Sequence, residues 1–328
     1  MVPNKLKAGD EVRVIAPSRS MAILGEDCKK LATERLEELG LKVTFGKHVM
    51  EADPDYFAAS KEARVEDLND AFRDPNVRAI LTVIGGFNSN QILDYIDYEA
   101  IKNDPKIFCG FSDITALSNA IHAKTGVVTY SGPHYSSFGM LKGFEYTLEY
   151  FKKMFFEENE FEITSSNEWS DDAWFIDQEN RKFIPNDGMF IINEGEAEGD
   201  IIGGNLCTLN LLQGTEYMPN IENKVLFLED DDMAGKIFLM EFDRNLQSLV
   251  HMPEFKTVKA LVLGRSQVAT EMTKEKWIKL IKNKPELANI PVVAGADFGH
   301  STPIFTFPVG GHARVKAKDG KIEIFVKG

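Results

Sequence analysis

The chain is poor in cysteine: three in 328 residues, Cys28, Cys109 and Cys207, odd in number and far apart. That excludes a disulfide framework and a zinc knuckle. It leaves each cysteine as a small buried hydrophobe in a reducing compartment. Basic residues are also short, 37 Lys and Arg against 51 Asp and Glu, for a formal net charge of −14. A surface of that sign repels polyphosphates, so neither nucleic acid nor an anionic membrane is expected as a partner, although one local basic pocket is still open to a small phosphorylated ligand. No apolar run approaches the roughly 20 residues that span a bilayer. The opening MVPNKLKAGDEVRVIAPSRS has no apolar signal core, so the cytoplasm is the expected location. Neither G-x-G-x-x-G nor GxxxxGK[ST] occurs, which disfavours a nicotinamide oxidoreductase and a P-loop enzyme.

What is present is an ordinary globular composition, 43% hydrophobic and 27% charged, long enough for about two domains. The first half alternates strand and helix patterns. Strands are expected at Glu11–Ala16, Leu41–Phe45, Ala79–Ile84 and Lys106–Phe111, and helices at Asp27–Leu39, Lys61–Phe72 and Asp113–Ala123, with a short one opening at Gln91–Tyr95. The strands at 79–84 and 106–111 lack polar alternation, as strands covered on both faces do. The expected fold is therefore α/β, with a mostly parallel sheet whose ligands sit beyond the carboxyl ends of its strands. Between about 150 and 200 the pattern loosens into an acidic, aromatic stretch without helical period, read as a crossing between domains plus a lid or edge element. Beyond it, strands are expected at Val225–Leu228, Ala260–Leu263, Pro291–Ala294 and Ile322–Val326, and helices at Phe238–Leu249 and Thr273–Lys282.

One stretch carries chemistry. In KIFCGFSDITALSNA a buried strand runs through Gly110–Phe111–Ser112 straight into a helix opening at Asp113. A serine at such a turn points its hydroxyl outward, and the amides that follow can hold an oxyanion. The same serine could simply cap the helix, and Ile114 replaces the last glycine of G-x-S-x-G.

A nucleophilic serine needs a base, and the base an orienting acid. Of six histidines, His134 and His300 stand at strand ends beside Gly or Pro, and residue physics does not choose between them. Glu229 closes an apolar strand ahead of Asp230–Asp232, a run that also reads as a solvated loop or, with no accompanying ligand spacing, a divalent-metal site. Gly85–Gly86 at a strand end allows close backbone approach to a ligand, or is a plain turn.

Taken together these segments resemble one family. The run AILTVIGGFNSNQILDYIDYEAIKNDPKIFCGFSDITAL resembles the signature block of LD-carboxypeptidases and the related microcin-C immunity peptidases. LFLEDD (226–231), DFGHSTP (297–303) and LKAGDEVRVIAPS resemble its other blocks, in the same order along nearly the whole chain. The resemblance implies Ser112 as nucleophile, Glu229 and His300 as its partners, and the backbone amides of Gly86 and Asp113 as oxyanion donors. It ranks His300 above His134. It implies an N-terminal α/β domain (1–160), a C-terminal domain with a β-rich core (161–328), a cleft between them, a homodimer, and neither metal nor cofactor.

The implied reaction is hydrolysis of an amide in a small peptide or peptidyl-nucleotide. One branch cleaves an aspartyl or glutamyl nucleotide amide; the other removes the terminal D-alanine of a murein tetrapeptide. Trp169 and Trp174 favour the first, since an aromatic lid can stack on a base, though they could equally pack a domain joint. Gly85, Trp174 and Asn205 are the expected substrate contacts. A non-catalytic nucleotide-binding module, with Ser112 as a helix cap, is the rival from another class.

Overall fold

The apolar runs become the middle strands of two sheets in a computed structural model that describes all 328 residues. In the first sheet, Glu11–Ile15, Lys42–Phe45, Val77–Thr82, Ile107–Cys109 and Thr129–Ser131 lie parallel. Counting those strands along the chain, the spatial order is 2-1-3-4-5. The order reverses between the first and third strands, which opens a crevice beyond their carboxyl ends. Helices at Glu26–Glu38, Lys61–Arg73 and Ile114–Thr125 cover it, each turning an apolar stripe inward, as Leu68, Ala71 and Phe72 do in the second. Gly126 ends the third in the left-handed conformation at φ +71° and returns its N–H to His122 O.

The second sheet has eight strands. Gly195–Asn205, Val225–Glu229, Ala260–Gly264 and Val292–Ala296 are parallel. Phe190–Asn193 flanks them antiparallel on one side, and His312–Lys318, Lys321–Lys327 and Phe161–Glu162 continue antiparallel on the other. The fold is the expected α/β class, with the β-rich second half. One cluster of 81 buried residues runs through both sheets, so they share a core rather than meet across a wet joint. No helix is long and apolar enough to cross a membrane.

Three features depart from the sequence reading. Glu145–Phe156 is a helix with Thr147, Tyr150, Phe151, Met154 and Phe155 buried, a clear i, i+3, i+4 stripe; its aromatic content made the start of the 150–200 stretch look strand-like. Gly195–Asn205 is the longest strand although glycine is normally depleted in strands. Its Gly203 stands at φ +150°, where a Cβ would fall 1.9 Å from Phe227 O, so only glycine lets the two strands approach. And Phe307–Val309 crosses back from the second half to pair with Thr129–Ser131 as the edge of the first sheet.

Candidate active site

Four strand ends converge at the crevice. Val77–Thr82 leads to Gly85–Gly86, Ile107–Cys109 to Ser112, Val225–Glu229 ends on Glu229, and Val292–Ala296 leads to His300. The strand-to-helix turn at Ser112 is tight: Ser112 takes φ +61°, a conformation that costs a non-glycine residue about 1–2 kcal/mol. Space for it exists because its neighbours lack side chains. A Cβ on Gly110 would lie 2.2 Å from Thr82 Oγ1, and one on Gly85 would lie 2.8 Å from Ser112 Cβ. Strain held by such packing is characteristic of a residue placed for chemistry.

The capping alternative does not describe what the hydroxyl does. The N-cap of the Ile114–Thr125 helix is Asp113, without a side-chain capping bond. Ser112 Oγ instead lies 2.9 Å from His300 Nε2, and His300 Nδ1 lies 2.7 Å from Glu229 Oε2. In the neutral imidazole, Nδ1 is placed to donate its proton to the carboxylate, which leaves Nε2 as the acceptor facing the serine. Glu229 is buried, and Gly299, at φ +104°, lets the chain pass against its carboxylate, where a Cβ would be 2.5 Å from Oε2. Burial alone would keep the imidazole neutral. The charge and hydrogen bond of Glu229, with Asp231 and Asp230 beyond it, outweigh that and raise the His300 pKa to about 9.

The other candidate histidine is turned away. His134 Nδ1 lies 2.9 Å from Thr82 Oγ1, its Nε2 meets no polar partner, and its ring stacks on Phe111 at 4.3 Å. Burial, then the charges of His300 and Arg19, depress its pKa to about 3, so it is a neutral packing group. Phe111 separates the two imidazoles, meeting His300 edge-on at 5.5 Å.

The glycine pair is held by a carboxylate that the sequence reading had used only for its amide. Asp113 Oδ2 accepts from Ser18 Oγ at 2.6 Å, Asn88 N–H at 3.0 Å and Ser89 N–H at 2.9 Å, and Asp113 O accepts from Ser89 Oγ at 2.6 Å. From behind, the buried Arg64 guanidinium donates to Pro17 O and Asn88 O. The 85–89 loop is thereby fixed to the same turn that carries Ser112, and the N–H groups of Gly86 and Asp113 are left without a protein acceptor. Two such amides beside a strained serine can donate to an oxyanion that forms there. The signal for this brace was present as a polar residue after each of three strands (Ser18, Asn88, Asp113), but only their spatial convergence gives it meaning.

Two cavities flank Ser112. One, about 340 Å³, lies on the His300 side and is walled by Phe111, Met140, Phe144, Trp174 and Thr302. The other, about 460 Å³, lies on the Gly86–Asp113 side and includes Ser112 itself. Trp174 is thus beside His300, whereas Trp169 lies elsewhere, under the Arg265 guanidinium at 5.0 Å. Residues 165–190, within the stretch expected to be a crossing plus a lid or edge element, run between the two halves. Ser170 bridges to Thr302, Asp171 accepts from Val268 N–H, and Gln178 bonds Gly139 O and Leu141 N–H, so the element straps both halves. Asn205 does not line either cavity. It is buried, capping Leu206–Asn210 through Thr208 N–H and donating to Asp230 Oδ1 at 3.1 Å. Cys207, Asp230 and Asp231 cluster closely enough for a cation, but burial and the adjacent Asp230 push the Cys207 thiol up, and it donates to Asn205 Oδ1 rather than standing as a thiolate ligand.

Known proteins are similar to this chain along nearly its whole length. The LD-carboxypeptidase N-terminal domain family matches residues 12–132 and the LD-carboxypeptidase C-terminal domain family matches 198–315. YocD of Bacillus subtilis (strain 168), which carries a carboxypeptidase name, is 53% identical over 99% of both chains. The crystal structure of an MccF-like protein from Bacillus anthracis superposes with a TM-score of 0.98 at 55% identity, over 100% of this chain and 99% of that one. A structure of MccF in complex with glutamyl sulfamoyl guanosine gives 0.86 at 29% identity, over 99% and 98%; microcin C7 self-immunity protein MccF of Escherichia coli is 31% identical over 93% of this chain and 90% of its own.

Proposed function

Because the chain belongs to the LD-carboxypeptidase family, we propose that it is a serine-type amide hydrolase using Ser112, His300 and Glu229. The observation that carries this reading is the continuous hydrogen-bond chain from Ser112 Oγ through His300 to Glu229. His300 Nε2 takes the Ser112 proton as Oγ bonds to the substrate carbonyl carbon. The carbonyl oxygen gains the negative charge and is met by the N–H groups of Gly86 and Asp113, donors worth about 3–4 kcal/mol each in other serine enzymes. Collapse breaks the C–N bond as His300 hands its proton to the leaving nitrogen. Water, deprotonated by His300, then adds to the ester and frees the acid and Ser112.

Because the leaving nitrogen must be within reach of His300, the leaving group occupies the cavity walled by Trp174. An aromatic face there suits a nucleobase, which favours an aminoacyl-nucleotide amide. MccF, a relative that shares this fold, has been crystallised with such a compound. A second reading, removal of the terminal amino acid of a murein tetrapeptide, is favoured by a separate observation: the cavity on the acyl side offers no lysine, arginine or histidine to meet an aspartyl or glutamyl carboxylate.

Side-by-side hydrolysis of a murein tetrapeptide and an aminoacyl sulfamoyl nucleotide, followed by mass spectrometry, separates the two. Release of the amino acid from the nucleotide, lost in Ser112→Ala, supports the first reading, and D-alanine release supports the second. No Ser112-dependent product from either would refute the hydrolase reading.

A further inference from the structure

Asp297 opens the DFGHSTP stretch, three residues ahead of His300, and has no part in the Ser112–His300–Glu229 chain. It is buried, and a carboxylate out of water needs a cation and hydrogen bonds in its place. The cation is Arg265, at the end of the Ala260–Gly264 strand, whose Nε and Nη2 donate to Asp297 Oδ1 at 3.2 and 2.9 Å. The other donors come from the 165–190 strap. Ser166 N–H donates to Oδ2 at 2.7 Å, and Asn186 Nδ2 lies 3.2 Å from both oxygens. Arg265 closes the network by donating to Asn186 Oδ1 at 2.6 Å while its guanidinium covers Trp169.

The placement of these donors matters. Glu168–Trp169 pairs antiparallel with Ile184–Pro185, so the strap has two legs zipped together. Ser166 lies just before one leg strand and Asn186 just after the other, and both end on the same carboxylate. Trp174 lies between the legs, in the tip that walls the cavity beside His300. On its other side Asp297 begins the loop that carries His300. That loop closes where Phe305 N–H donates to Asp297 O at 2.8 Å, and its Thr302 exchanges two backbone hydrogen bonds with Ser170, each 2.7 Å. Neither Asp297 nor Arg265 lines either cavity beside Ser112, so any influence on the reaction passes through the groups they hold.

Resting on the serine-hydrolase reading above, we propose that Asp297 and Arg265 are positioning residues: the pair sets the His300 loop and the Trp174 wall of the leaving-group cavity in one register, with Asn186 carrying the hold into the strap. Base and binding wall then reach the substrate as one unit. The two functions separate when the network is cut at different points. Loss of Asn186 frees one strap leg but leaves Asp297 paired with Arg265. Loss of the Asp297 charge loosens the His300 loop as well, because one amide oxygen cannot serve both Arg265 and Ser166 N–H.

The test compares Asn186→Ala, Arg265→Lys and Asp297→Asn in the full chain, with an aminoacyl sulfamoyl adenosine and a D-alanine-terminated murein tetrapeptide as substrates. Asn186→Ala should raise KM about tenfold with kcat within about threefold, the pattern of lost binding rather than lost chemistry. Amide hydrogen exchange should quicken across 165–190 and stay unchanged across 297–305. Arg265→Lys keeps a cation for Asp297 and should follow the same pattern. Asp297→Asn should quicken exchange in both segments and lower kcat about 10²-fold as His300 loses its alignment. Equal losses of kcat in all three variants with KM unchanged, tracking a lower unfolding temperature, would reduce the network to a structural ion pair and overturn the proposal. So would an Asp297→Asn protein with wild-type kcat and KM. Absence of Ser112-dependent turnover of both amides by the wild-type protein would overturn the hydrolase reading, whereas unchanged strap exchange in Asn186→Ala would overturn the anchor by itself.

Discussion

The two sheets supply unlike halves of the site. The first sheet gives the half proposed as nucleophilic, Gly85–Gly86, Ser112 and Asp113, all on loops tied to one another by the Asp113 carboxylate within a few ångströms. The second sheet gives the half proposed to handle the proton, Glu229 and His300, which reaches the first half through a single hydrogen bond to Ser112. The nucleophilic half is preorganised by short-range packing and backbone strain. The proton-handling half depends on how the sheets dock, and the single core running through both is what holds that distance. Rigidity within each half and a shared core between them is the arrangement that near-attack geometry requires.

Removing Glu229's charge should separate the halves most. Glu229→Gln leaves Ser112 and the amides in place but strips His300 of the group that orients and charges it, and kcat should fall about 10⁴-fold, as for the equivalent change in other triads. The pH profile gives the sign. His300 must be unprotonated to accept the Ser112 proton, and its raised pKa of about 9 places the acid limb of kcat/KM above neutrality. Activity should climb as pH rises toward that value, and in Glu229→Gln the limb should move to lower pH. A limb that stays put would break the assignment of His300 as the titrating base.

The next largest effect tests the brace within the first half. Asp113→Ala should release the 85–89 loop and cost roughly 10²-fold in kcat with a smaller change in KM, because the oxyanion donors lose their alignment. Asp113→Asn, which keeps an acceptor oxygen, should recover most of it. Equal losses in the two variants would contradict a positioning role.

Smaller effects sharpen the contrast between strain and chemistry. Ser112→Ala and Ser112→Gly both lose the hydroxyl, but only glycine relieves the φ of +61°. The glycine variant should be more stable than the alanine variant by about 1 kcal/mol, the reverse of their usual order, as read by denaturant unfolding. His134→Ala should leave the pH limb unmoved and turnover within about tenfold, with a stability loss of about 1–3 kcal/mol from the vacated space beside Phe111. A shift of the limb in that variant would mean the wrong histidine has been given the proton.

How much of this was legible in the sequence follows the same division. The Ile107–Cys109 strand, the turn at Ser112 and the helix behind it are local, and their apolar and glycine pattern announced them within two residues of their bounds. Glu229 at the close of an apolar strand was visible for the same reason. The choice of His300 over His134 was not, since both stand at strand ends, and only a resemblance ranked them; the reason lies in Thr82 claiming one imidazole and Glu229 the other. The Asp113 brace, the return of Phe307–Val309 to the first sheet and the glycine-rich Gly195–Asn205 strand are long-range pairings that no local period encodes. Asn205 looked like a substrate contact and is a buried helix cap, because a strand-end asparagine has the same appearance in both roles.

The most direct measurement is turnover by Ser112→Ala, on whichever amide substrate the wild-type protein cleaves, alongside thermal unfolding of both proteins. The expected result is loss of kcat by up to about 10⁶-fold with a cooperative unfolding transition retained. A Ser112→Ala protein that keeps its fold and hydrolyses the substrate within tenfold of the wild-type rate would contradict Ser112 as the nucleophile.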